Sequence, residues 1–158
     1  MSLFTILLFL HVLGAIAAFG PGFASMVVGP MVAKEPQHAN FYARTQLAAN
    51  LKLVTPLALS MAVTGVLMII ERGGLSNITG GRRWLELAIL LYVIAIVYSF
   101  AIQAPAGRRL VALTSSPPAP GSPPDPAIPA TARRVRLGGM FLGLLVIVIV
   151  FLMVVKPF

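Results

Sequence analysis

Four apolar runs, each close to the length needed to cross a lipid bilayer, constrain this chain more than any motif in it. They lie near Leu3 to Val32, Leu51 to Ile70, Trp84 to Ala104 and Leu137 to Val155, separated by charged or Pro/Gly-rich breaks. About 20 apolar residues in a helix cross a hydrocarbon layer of ~30 Å. Inside lipid the backbone N–H and C=O groups must be satisfied within the segment, so such runs fold as helices. Only 10% of the residues are charged, where a soluble domain carries roughly a quarter. The expected fold is therefore an all-α membrane protein, an up-down bundle of four transmembrane helices forming a single integral membrane domain over residues 1–158.

The first run organises the rest. It holds no Lys or Arg before its apolar core and continues well past the length of a signal-peptide core, so it reads as a retained helix. At ~1.5 Å per residue it exceeds the bilayer thickness and must tilt, bend or protrude. The bend is expected at Gly20-Pro21-Gly22, because proline removes one i to i−4 hydrogen bond and its glycine neighbours offer little resistance. His11 is the ionisable side chain of this run, and at that depth it needs a partner, water or a ligand. Gly14, Ala18 and Gly22, four residues apart, form a small-residue surface for close approach of a neighbouring helix, and Gly138, Gly139 and Gly143 offer the same in the fourth run.

The connections set the orientation. After Pro36, the segment around Phe41, Tyr42 and Leu47 reads as a short interfacial helix, with His38 exposed on it. In the second span Ser60, Thr64 and Gly65 make a small, weakly polar stripe, and Lys52 can snorkel towards headgroups. Trp84, next to Arg82 and Arg83, is an interface anchor, with Glu86 close enough to those arginines for a surface ion pair. Residues 105–136 read as a Pro-rich cytoplasmic loop, flanked by Arg108, Arg109, Arg133, Arg134 and Arg136. The first and third loops hold eight cations, Lys34, Arg44 and Lys52 with those five arginines, against four on the opposite face, Arg72, Arg82, Arg83 and Lys156. Excess Lys and Arg marks the inner side. Loops 33–50 and 105–136 are thus expected in the cytoplasm and both termini outside. The net charge of +8 is explained by this topology and anionic lipid, not by a nucleic-acid partner. The expected partners are the bilayer and other membrane-protein subunits.

With that orientation, His11, Thr64 and Tyr92 come to a similar depth, with Glu86 nearer the outer surface. The expectation is a polar cluster of these four in the outer half of the bundle. Catalytic constellations do not emerge. There are no cysteines, which removes thiolate metal sites and thiol chemistry. The four acidic residues do not form a relay or an oxygen-rich metal site.

The run from Leu10 to Phe23, LHVLGAIAAFGPGF, resembles the opening helix of an uncharacterised family of small bacterial four-span predicted integral membrane proteins. It is more distantly similar to the copper-resistance protein D type and to the HemJ-type haem-containing protoporphyrinogen oxidases. The resemblance continues through Leu53 to Gly65 and in Trp84-Leu85-Glu86-Leu87. It implies a multi-pass protein of the bacterial cytoplasmic membrane. For the oxidase type it implies that the first-helix histidine, His11 here, is a haem ligand; the lysine and histidine of that family's third span are absent, as Glu86-Leu87 and Tyr92 occupy the region. A b-type haem on His11 could take Met61 or Met68 as second axial ligand, although methionines also fill apolar cores.

Three functions remain open at this level: a non-catalytic structural or accessory component of a membrane complex, a haem-binding protein in redox chemistry or haem handling through His11, and a small-solute transporter. The first fits the scarcity of internal polar groups. The third is permitted by the kinked first helix, though paired broken helices in inverted repeats are not evident.

Overall fold

The computed structural model describes residues 2–74, 82–115 and 125–157, and among them every regular element is helical. Four helices are long and apolar enough to cross a membrane: α1 (Leu3–Lys34), α2 (Pro36–Glu71), α3 (Arg83–Thr114) and α4 (Ala127–Val155).

Helix α1 starts where the Ser2 side chain caps it, its hydroxyl accepting from the Thr5 N–H at 3.3 Å. The helix runs 32 residues with Pro21 and Pro30 inside it. Each proline deletes one ladder bond, and near the first of them Ser25 Oγ donates to the Gly22 carbonyl at 2.6 Å. Glu35 alone separates α1 from the tight first turn of α2, Pro36–His38.

Helices α2 and α3 are both longer than the apolar runs that announce them, and for the same reason. In α2 the stretch Asn50–Val54 is wound wider than an α-helix, so that the Thr55 N–H bonds to Asn50 O, five residues back. In α3 the stretch Ser99–Gln103 does the same, with the Ala104 N–H on Ser99 O. A proline follows each at the same distance, Pro56 and Pro105. A proline ring clashes with the carbonyl four residues before it; one extra residue in the turn relieves the clash without breaking the helix. The segment expected as a short interfacial helix is thus continuous with the second span. Of the expected loop 105–136, residues 105–114 belong to α3 and 127–136 to α4, so Arg108, Arg109, Arg133, Arg134 and Arg136 ride on helices. The Pro-rich centre, 116–124, lies outside the described residues, as does 75–81.

The helices pack in sequence around a ring, each antiparallel to the next. Met61 of α2 faces Gly14 of α1. Leu47 of α2 faces Gly107 of α3, and the Tyr92 hydroxyl of α3 donates to the Ala58 carbonyl of α2. Tyr98 of α3 packs at a tilt on Phe141 of α4, ring centroids 4.8 Å apart, and Gly143 of α4 meets Met26 of α1. Small residues dominate the buried contacts: Ala88 is 0% and Ala18 2% exposed. Lipid tails are as apolar as leucine, so nothing drives large side chains inward; close approach of backbones does the work. Large apolar groups such as Ile16, Val63, Leu90 and Leu144 accordingly point outward.

The two ends differ. At the end where α1 begins, the Arg72 guanidinium lies 3.9 Å over the Phe4 ring and the Lys156 ammonium 5.6 Å over Trp84. At the loop end, Asn40 Nδ2 donates to Val111 O at 3.3 Å and Thr114 Oγ1 at 3.1 Å, tying the last turn of α3 to the start of α2.

Candidate functional site

His11 stands in the third turn of α1 and reaches α2. Its Nδ1 is 2.9 Å from Thr64 Oγ1. Which atom donates follows from the surroundings. The Thr64 hydroxyl, with a single proton, lies 3.0 Å from Ser60 O and 3.2 Å from Met61 O and donates to those carbonyls of its own helix. Its oxygen then accepts from His11 Nδ1–H. This assigns the neutral imidazole with its proton on Nδ1. The Met61 carbonyl is also within reach of the ring, and no hydrogen bond of Nε2 is found among the described residues.

The ring is held from below by Gly65. A Cβ built there would meet His11 Cε1 at 3.5 Å, ordinary contact distance, so the glycine gives the imidazole a flat backbone surface. One turn further along, Gly14 admits Met61, whose Cγ would be 3.2 Å from a Cβ at position 14. Ala18 is buried in the same stripe. Gly22, expected to continue it, is exposed on α1, and a Cβ there would meet nothing within 4 Å. Further along, the loop end of α2 packs against α1 through Tyr42, at Ser25 and Gly29.

Of the four residues expected to cluster, the structure joins two, His11 and Thr64. Tyr92 comes from α3 to the same neighbouring helix but bonds to Ala58 O, more than a turn away from Thr64. Glu86 is exposed, and it pairs with neither Arg82 nor Arg83 among the described residues. Met61 lies buried in the α1–α2 seam, its Cγ against Gly14. Met68 is a further turn along α2 from Thr64, in a half-buried position.

A second polar group at depth escaped the sequence reading. Gln103 Nε2 donates to Val135 O across the α3–α4 seam at 2.9 Å, while its Oε1 is buried without a partner among the described residues. Gly138 opens the space for it: a Cβ there would collide with Gln103 Oε1 and come within 2.9 Å of the Tyr98 hydroxyl. A lone amide at the end of an apolar run, two residues before a proline, was the available signal.

Four apolar helices joined through glycine and alanine seams, with isolated polar contacts between neighbours, define an integral membrane protein. The chain belongs to the family described as predicted integral membrane protein (DUF2269), whose sequence model matches residues 5–157. No curated protein and no solved structure matches it.

Proposed function

We propose that this protein is a non-catalytic component of a larger complex in the bacterial cytoplasmic membrane, with the loop end of the bundle in the cytoplasm and both termini outside. The observation that carries the reading is the filled α1–α2 seam. His11, the ionisable group at depth, has its Nδ1–H satisfied inside the chain by Thr64, and the space beside it is taken by Gly65 and by Met61 against Gly14. A seam closed in this way supports assembly more than passage of a solute. The orientation rests on eight Lys and Arg at the loop end (Lys34, Arg44, Lys52, Arg108, Arg109, Arg133, Arg134, Arg136) against four at the other (Arg72, Arg82, Arg83, Lys156). Gentle solubilisation followed by co-purification tests the first part: a defined partner in fixed stoichiometry is expected, and a protein that stays alone at every detergent strength would overturn it. For the second part, Ser2→Cys and Ser115→Cys variants read the sides, since the chain has no cysteine of its own. An impermeant maleimide added to intact cells should label the first and spare the second.

One observation favours a second reading, in line with the distant resemblance of the first span to haem-containing oxidases. His11 Nε2 carries a lone pair without a hydrogen-bond partner among the described residues, and the bond to Thr64 fixes the tautomer a metal would need. His11 would hold the iron, with Met61 or Met68 as a second ligand. A reduced-minus-oxidised visible spectrum of purified protein and its His11→Ala variant decides: a b-type signal lost in the variant supports haem, and a flat spectrum from folded protein removes it.

A further inference from the structure

Each of the four helices is weakened near its middle, and neighbouring weak points lie side by side. In α2 the widened turn Asn50–Val54 precedes Pro56, and in α3 the widened turn Ser99–Gln103 precedes Pro105. Across the α2–α3 seam both turns fall between the same two contacts. Tyr92 reaches Ala58 O on the side of the chain termini, and Leu47 meets Gly107 on the side of the loops. Helix α1 packs on Asn50–Val54. Its part there lies between Gly14, which meets Met61, and Ser25, which meets Tyr42, and it contains Gly20-Pro21-Gly22. Helix α4 packs on Ser99–Gln103, where Gly138 admits the Gln103 amide and Gly139 follows.

Proline lacks the N–H of a ladder bond, a widened turn departs from the ladder, and glycine brings no side chain to resist; these are the places where helices bend. Little braces the backbone at them. A Cβ on Gly20 or Gly22 would meet nothing within 4 Å, and one on Gly139 would meet Gln103 Nε2 at 3.9 Å, an ordinary contact.

On either side of this level the helices are tied to one another. Towards the loops, Tyr42 joins α2 to Ser25 of α1, Asn40 joins it to Val111 and Thr114 of α3, and Gln103 joins α3 to Val135 of α4. Towards the termini, His11 joins α1 to Thr64 of α2, and Tyr92 joins α3 to Ala58 of α2. A contact that crosses the level, Met26 of α1 against Gly143 of α4, is made by an unbranched and adaptable side chain.

We propose that the bundle is hinged at this level: the loop half, residues 23–49, 104–114 and 127–137, rocks as one body on the terminal half, residues 3–19, 57–71, 83–98 and 140–155. Hinges are a few residues that absorb the backbone change while packed bodies move whole. One kink alone would be opposed by three straight neighbours; a weak point in every helix, each beside the next, removes that opposition. The inference rests on helix geometry and not on the accessory role.

Distances between paired spin labels test it, in the full chain reconstituted in lipid nanodiscs, with no native cysteine to remove. The pair Arg44→Cys/Val154→Cys spans the level, whereas Arg44→Cys/Arg109→Cys and Leu3→Cys/Val154→Cys each stay within one half; all four positions are exposed. The spanning pair should give a distance distribution about twofold broader than either control. Gly20→Ala/Gly22→Ala/Gly139→Ala, which adds methyl groups without a clash, should narrow it to the width of the controls. A spanning pair as narrow as the controls would show a rigid bundle, and controls as broad as the spanning pair a loose one; either result overturns the hinge. Breadth that a folded triple variant leaves unchanged would do so too, because the bending would then lie elsewhere. The comparison of spanning pair with controls uses no hinge variant, so it stands whatever the alanines do to folding.

Discussion

In the α1–α2 seam a glycine, Gly14, receives Met61, and one polar side chain, His11, crosses to Thr64. In the α3–α4 seam a glycine, Gly138, receives Gln103 and Tyr98, and one polar side chain, Gln103, crosses to Val135 O. The architecture repeats; the chemistry does not. Gln103 bonds to a backbone carbonyl and cannot titrate, so its contribution is confined to holding two helices at one register. His11 bonds through one ring nitrogen and keeps the other, with its lone pair. The first seam thus carries a titratable ring, whereas in the second the buried group without a partner among the described residues is the neutral Gln103 Oε1.

Substitutions can separate the two. The largest effect is expected from Gly138→Ala, since the new methyl must displace the Gln103 amide, itself tied to Val135 O, and crowd the Tyr98 hydroxyl. Overpacking of this kind costs about 1–3 kcal/mol, read as a lower melting temperature in mild detergent. Gly14→Ala meets the flexible Met61 side chain at 3.2 Å, and a loss nearer the bottom of that ~1–3 kcal/mol range is expected. If Gly14→Ala proved the more damaging, the first seam would be the stiffer, against the comparison drawn here. Thr64→Val keeps the shape and removes the hydroxyl that accepts from His11; a loss of about 0.6 kcal/mol, the average for hydrogen bonds between membrane helices, is expected. A haem signal, were one found, should shift in this variant. Gly22→Ala comes last: with nothing within 4 Å, unchanged or slightly raised stability is expected, and a clear loss would show that Gly22 packs against a partner in the membrane.

The fold was legible because the bilayer imposes it. Apolar runs of spanning length leave the backbone no alternative to helix, so helix number and antiparallel order could be read without tertiary information. Helix ends could not. A widened turn before Pro56 and before Pro105 carries each helix past the apolar run, an adjustment that hydropathy does not mark. The candidate site was legible in part. His11 stands out because an ionisable group in an apolar run is costly, and Thr64 follows from depth. Facing does not follow from depth, which is why Tyr92 and Glu86, at plausible levels, turn to other surroundings. Gln103 was passed over because an uncharged amide at the end of a span looks like an interface residue until Gly138 is seen to make room for it.

The bond between His11 and Thr64 also has a consequence in time. The two residues are 53 positions apart, so at about 5–20 residues per second Thr64 is synthesised roughly 3 to 10 s after His11. Throughout that interval the imidazole has no threonine to meet. Only Glu35 separates the two helices, and the second begins to emerge as soon as the first is complete. The hairpin of α1 and α2 is thus the shortest stretch of nascent chain in which the imidazole is satisfied by Thr64.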